Sequence, residues 1–364
     1  MIRAEAVACA SDDYPTPRGL LQSAYWAAVK QPFGWEARCF RLGDGQPLLL
    51  LQRSLPGGFR IAYIPHGPEH EPASASDGAR ELREIGEALS AQLDPAPTFL
   101  RFDLPWSQSL PSARTSRTAG DTTDATTDST TEFVRAAARE NLRRAPVDVQ
   151  PPSTVLVPID CDDETLLSAM KSKTRYNVRL AFRKGVEVYC ASAERLEQWY
   201  ELYRETAERD RIAVHSLDYY RRVMGIAEEL SGGPALELLL AEHEGELLAG
   251  IIVAYYGETA TYLYGASSNH KRSLMPAYAL QFRAMQRARE HGCRSYDMFG
   301  IPPDPDPSHP MYGLYRFKTG FGGSIVHRLG AWDLPVRHMG YAAYRVAERA
   351  RDFYHKDIRK RGRS

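Results

Sequence analysis

Between residues 107 and 131 the chain carries almost no apolar side chain, and such a run of Ser, Thr and Asp cannot bury a core. Any core must be built on either side of it. The expectation is a disordered insertion over 107–131 with no catalytic part. Before it, strand-like runs at 37–42, 48–52 and 59–64 lead to a helix at 78–93 and a strand at 98–103. Leu82, Ile85, Leu89 and Leu93 mark the buried face of that helix. After it come a strand at 155–159, a long helix from Asp163 to about Lys184 and a strand at 186–189. Helices at 193–209 and 217–230 follow, then a meander of strands at 236–242, 247–256 and 259–265. A helix at 278–291, a strand at 295–299 and a helix near 341–355 complete the pattern. Two successive runs of this kind predict an α/β (α+β) fold in two domains, 1–154 and 155–329, and suggest a pseudo-repeat.

At 364 residues the chain is long enough for two such cores. Basic and acidic residues both number 46, so any binding to nucleic acid or membrane has to come from local patches. The start is too weakly apolar for a signal peptide, and no run of about 18 apolar residues points to a membrane span. Five scattered cysteines without a CxxC pair predict free thiols in a reducing cytosol. The ten histidines show no HExxH spacing, which argues against a metal site. No P-loop and no GxGxxG after a strand are present, which argues against nucleotide-driven chemistry.

Several constellations could carry chemistry. In the segment GLYRFKTGFGG at 313–323, Lys318 stands between Phe317 and a glycine-rich run. One reading is a strand edge and hairpin with Phe317 packed inward. The other is a cation held beside a glycine turn, able to stabilise oxygen charge that develops in acyl transfer. Lys171, Arg175, Arg179 and Arg183 recur every four residues on one helix, opposite a stripe of Leu167, Met170, Thr174, Val178 and Ala181. Such a ridge is either a solvated face or a site for phosphate. A basic stretch from Arg345 to Arg363 fits tRNA, an anionic membrane face or a soluble end. Tyr262 and Tyr264, two apart on a strand, are expected on one face, and Asp103 is expected to present its carboxylate at a strand end.

The blocks LLQSAYWAAVK (20–30), MKSKTRYNVRLAFRKGVEV (170–188), ETAERD (205–210), YDMFGIP (296–302) and GLYRFKTGFGG (313–323) stand in an order that resembles the Fem family (FemABX). These are the non-ribosomal peptidyltransferases that build peptidoglycan cross-bridges. The resemblance runs from about residue 20 to about residue 330, with the blocks at 170–188 and 313–323 its specific part. It implies two tandem domains of the GNAT-like acyltransferase fold, with the C-terminal segment 330–364 returning to the first. The span from Arg209 to Tyr219 leaves no room for the coiled-coil arm of some members.

The likeness further implies an aminoacyltransferase that moves an aminoacyl group from tRNA to an amine of a peptidoglycan precursor, in the cytoplasm or at the inner membrane face. Aminoacyl-tRNA would be the co-substrate, with no other cofactor. Lys318 would stabilise the oxyanion, Phe317 would exclude water and Asp103 would lie near the amine. Lys30 matches a lysine that holds the precursor's diphosphate. The family arginine four residues before a tyrosine is replaced here by His215, ahead of Tyr219. Imidazole is the weaker phosphate partner, so binding there is expected to depend on pH. Tyr262 and Tyr264 would line the cleft, and Lys171, Arg175, Arg179 and Arg183 would hold tRNA. Two alternatives stay open: a coenzyme A-dependent N-acyltransferase, and a non-catalytic binding module. Against the first, Met275 and Pro276 stand where a pyrophosphate loop needs glycine and a free amide.

Overall fold

The structure, a computed structural model, describes residues 2–108, 122–210 and 212–361, with the backbone alone at 122–129 and 351–361. The first elements are β1 (Ala4–Val7), α1 (Ala24–Lys30), β2 (Glu36–Leu42), β3 (Pro47–Leu55), β4 (Phe59–Ile64) and α2 (Ala75–Ser90). Then follow β5 (Phe99–Ser107), α3 (Thr122–Arg139), β6 (Arg143–Arg144) and β7 (Ser153–Pro158). The middle of the chain forms α4 (Asp163–Ala169), α5 (Ser172–Arg183), β8 (Glu187–Ala191), α6 (Leu196–Asp210) and α7 (Leu217–Glu229). The remainder is β9 (Ala235–His243), β10 (Glu246–Tyr256), β11 (Thr259–Ser267), α8 (Pro276–Glu290), β12 (Ser295–Asp297), α9 (Tyr312–Lys318), β13 (Ser324–Pro335) and α10 (His338–Arg361).

Two compact units result. The first holds Met1–Pro17, Lys30–Gln150 and Arg328–Ser364; the second holds Arg18–Val29 and Pro151–His327. In the first, β2, β3 and β4 form an antiparallel meander, α2 crosses over, and β5 pairs parallel to β4. In the second, β9, β10 and β11 form the same meander, α8 follows, and β12 pairs parallel to β11. This repeated order is the pseudo-repeat that the alternation of elements suggested. Strand β13 completes both sheets, pairing β7 through Ser324–His327 and β5 from Arg328 to Pro335.

Each sheet packs its helix on an apolar face. Leu82, Ile85 and Leu89 of α2 are buried against Phe40, Leu48, Leu50, Leu100 and Phe102, and Ser74 caps the helix by accepting from the Asp77 amide. In the second unit, Ala279, Leu280 and Met285 of α8 meet Leu239, Ile251 and Val253. Trp199 of α6 covers the other side of that sheet, where a Cβ on Gly250 would lie 2.5 Å from its ring.

Five expectations change. Residues 18–29 belong with the second unit because Tyr25 is fully buried and donates to the Val223 carbonyl (2.9 Å). In the segment expected to be disordered, α3 starts at Thr122, while 109–121 lie outside the described residues. That helix is anchored by Phe133, which packs edge-on against Trp106 and Trp332. The long helix from Asp163 breaks at Met170, whose backbone is extended, and Asp162 rather than Asp163 caps it. Residues 312–318 are helical, not a strand, since the apolar side chains Leu314, Phe317 and Phe321 follow the helical period. Cys9 and Cys39 form a disulfide, because pairing Val7 with Cys39 brings the end of β1 beside β2. Cys161, Cys190 and Cys293 are free.

The first unit also buries an ion pair. The Arg101 guanidinium donates twice to Asp333 (2.7 and 2.9 Å), which also accepts from the Tyr341 hydroxyl (3.0 Å). Removing one partner of such a pair strands the other charge. Asp333→Ala should therefore cost about 3–5 kcal/mol of stability in urea denaturation.

Candidate functional site

Lys318 ends α9 and turns inward, with 6% of its surface exposed. Its Nζ donates to the carbonyls of Phe299 (2.9 Å) and Gly300 (3.0 Å) and lies 5.0 Å from the centre of the Tyr262 ring. Those carbonyls sit on a bend that β12 leads into. Phe299 has φ of 54°, and its amide donates to the Asp297 carboxylate (2.7 Å), which also accepts from Thr154. Burial pulls the Lys318 ammonium down to about 7, against an opposing pull from Asp297. Phe317 packs edge-on between Tyr278 (5.1 Å) and Phe321 (5.2 Å). The glycines after Lys318 serve close packing rather than an open turn. A Cβ on Gly320 would lie 2.2 Å from the Thr174 hydroxyl of α5, and one on Gly323 would lie 2.2 Å from the Leu156 carbonyl. Lys171 ties the two segments together: its amide donates to Gly320 (2.9 Å) and its Nζ to Thr319 (3.3 Å).

Tyr262 and Tyr264 do not share a face. A bulge shifts the register so that Ile252 opposes Tyr264 while Val253 opposes Tyr262. Tyr262 thus packs with the α8 core and Lys318. Tyr264 joins an aromatic cluster with Tyr203 of α6 and Tyr219 and Tyr220 of α7. The phenols of Tyr264 and Tyr219 lie 3.2 Å apart. His215, exposed at the edge of this cluster, stacks on Tyr219 at 4.0 Å. Its backbone is held by Tyr200 and Tyr220, and Ser216 stands at the N-cap position of α7. Sequence reasoning missed Tyr25, Tyr203 and Tyr220. The signal was the density of aromatic residues at 199–203 and 219–220.

Lys30 closes α1 and is half-buried. Arg175 turns back to the carbonyls of Leu167 (3.4 Å) and Ser168 (3.2 Å), so it satisfies the end of α4. Arg179 pairs with Glu164 (3.4 Å) and Arg183 is exposed. The ridge is therefore less purely basic than its spacing implied. At the start of α8, Met275 adopts φ of 58° and Pro276 occupies the first turn, where it offers no amide.

Asp103 lies within β5, not at its end, and is 1% exposed. One oxygen, Oδ2, accepts from the Gln150 amide (2.8 Å) and the Tyr63 hydroxyl (3.0 Å). Burial nonetheless pushes its carboxyl up to about 6. The unfolded carboxyl titrates near about 3.9. The folded state therefore holds a proton that the unfolded state has lost, and stability falls as pH rises from about 4 through about 6, by about 2–3 kcal/mol in all. An asparagine oxygen at the Oδ2 position keeps both donors. Asp103→Asn should flatten this dependence in melting curves taken across that range.

Known proteins resemble this chain over most of its length. It is 26% identical to the Lipid II:glycine glycyltransferase of Staphylococcus aureus, in a match covering 87% of this chain and 88% of that one. A FemX crystal structure superposes with a TM-score of 0.75 at 22% identity, covering 94% of this chain and 99% of that one. The C-terminal domain of a putative lysylphosphatidylglycerol synthetase from Agrobacterium fabrum gives a TM-score of 0.50 at 14% identity, over 89% and 90%. The profile of the FemAB family matches residues 11–230 and 235–349, nearly the whole sequence, and the chain belongs to the FemAB family.

Proposed function

We propose that this protein is an aminoacyltransferase of peptidoglycan assembly. It moves an aminoacyl group from the ester of an aminoacyl-tRNA to an amine on the stem peptide of a lipid-linked or UDP-linked precursor. The observation that carries this reading is a whole-length relationship to a protein named for glycyl transfer to lipid II. The buried ammonium of Lys318 supports it from the chemistry of the site. In the reaction, the amine nitrogen bonds to the ester carbonyl carbon, the carbonyl oxygen becomes an oxyanion, and the C–O bond to the tRNA ribose breaks. The ribose oxygen takes up the proton that the amine loses. Ester-to-amide exchange is downhill, so no nucleotide is needed.

An ammonium has three protons. Two of those on Lys318 are held by the Phe299 and Gly300 carbonyls, and we assign the third to the oxyanion. Asp103 is too buried to meet an amine directly, so its contribution is to hold the Tyr63 and Gln150 segments in place. His215, exposed and stacked on Tyr219, is our candidate for the precursor's diphosphate in the second unit; Lys30 is a separate candidate, at the end of α1. The exposed face of α5 suits the tRNA: Arg179 and Arg183 supply charge, and Tyr176, 57% exposed, offers a ring for a base. The start of α8, with proline in place of an amide donor, disfavours coenzyme A as the acyl carrier.

The deciding experiment incubates the protein with glycyl-tRNA or other charged tRNAs and a muropeptide precursor, with acetyl-CoA as the rival donor, and weighs the product. Amide formation from charged tRNA supports the reading; product only from acetyl-CoA sinks it. Lys318→Ala should lower kcat by at least about a hundredfold and leave precursor affinity within a few-fold. Because the ammonium is the active form, kcat should also decline as pH rises through about 7, where that proton is lost. Replacing Arg179 and Arg183 by Glu should weaken charged-tRNA binding and flatten its salt dependence by about one to two units of slope. An unchanged slope would return this face to solvent.

A further inference from the structure

Helix α10 is built inside out. Its inward side carries polar groups: Tyr341 donates to Asp333, Arg345 donates to Tyr341 (2.9 Å), and Tyr344 donates to Glu348 (2.8 Å). Tyr341 and Tyr344 also pack against Phe99. Its outward side carries Met339, Ala342, Ala343, Val346, Ala347 and Ala350, which follow one another at helical spacing. Met339 is 89% exposed and Val346 is 68% exposed, the highest values for large apolar side chains among the described residues. A surface helix in a monomer normally shows water the reverse pattern.

The charge beside this stripe suggests what covers it. From Arg349 to Arg363 the sequence has seven basic residues against two acidic ones, in a chain whose totals balance. Phe353 continues the apolar spacing in the sequence. An apolar stripe continued by a basic stretch has the composition of a helix that lies in the headgroup layer of an anionic bilayer. No helix among the described residues is long and apolar enough to cross a membrane, so contact of this kind would be peripheral.

We propose that the outward face of α10 is a docking surface for an anionic lipid membrane, with Met339 and Val346 entering the headgroup layer. Its use in catalysis rests on the reading above, since it would bring the enzyme to a lipid-linked acceptor; the docking itself does not. The test is sedimentation of the full chain with vesicles of phosphatidylcholine alone or mixed with phosphatidylglycerol. The chain should bind the mixed vesicles, release as ionic strength rises from about 0.1 M to about 1 M, and bind pure phosphatidylcholine weakly. The double variant Met339→Asp/Val346→Asp should lower binding about tenfold or more, with its melting temperature unchanged. Met339→Phe/Val346→Phe should tighten it, which keeps the test alive if the acidic variant folds poorly.

Equal binding by all three proteins, or none by the natural chain, overturns the proposal. So does a natural chain whose self-association, or whose charged-tRNA binding, is what the acidic variant loses. Transfer to a UDP-linked acceptor should be the same for the acidic variant and the natural chain. If neither protein aminoacylates any acceptor, the proposed reaction fails while the vesicle result stands.

Discussion

One buried ammonium organises the centre of the second unit. A lysine with 6% exposure is costly to keep charged, and the cost is met locally by two carbonyls, a phenol ring and a nearby carboxylate. Each partner needs a particular backbone. The carbonyls converge because Phe299 takes a left-handed conformation after β12, and the Asp297 side chain fixes that bend by accepting from its amide. The ring arrives because β11 is bulged, which turns Tyr262 toward Lys318 and leaves Tyr264 to the opposite face. A lysine so held has a proton affinity near neutrality, the range in which a donor can respond to charge that appears and vanishes in a reaction.

The glycines near Lys318 follow from the same constraint. The segment after α9 runs directly against α4, α5 and β7, and there is no room for a Cβ at Gly320 or Gly323. Lys171 then fastens this segment to the start of α5. The helix with the exposed Arg179, Arg183 and Tyr176 is therefore mechanically continuous with the residues that hold Lys318. A change in packing at Gly320 would be felt at both.

The first unit solves a different problem, that of keeping charge and hydroxyl groups dry. Asp103 is satisfied through one oxygen yet remains easier to protonate than a solvated carboxyl, because desolvation outweighs its two hydrogen bonds. Arg101 and Asp333 are paired, and Tyr341 extends the pair into α10. Committing the polar side of α10 to this network is what leaves its apolar side facing outward.

The sequence by itself determined the α/β class, the strand runs and helix of the first half, the meander and following helix of the second, and the family resemblance, because hydrophobic periodicity and motif spacing are local properties. The buried stripe opposite the basic residues was legible too: Leu167, Met170, Thr174, Val178 and Ala181 are all buried. What escaped it was set by partners distant in the chain. Spacing alone put Tyr262 and Tyr264 on one face, but a bulge against β10 separated them. Arg175 read as part of a phosphate ridge until the break at Met170 gave it carbonyls to cap. Asp103 read as an exposed strand end, and β13, which pairs alongside its strand, could not be recognised because buried Arg328 and Asp333 interrupt its apolar pattern. Tertiary structure decided these points because desolvation and hydrogen-bond satisfaction depend on what lies across the sheet, and a linear pattern does not carry that information.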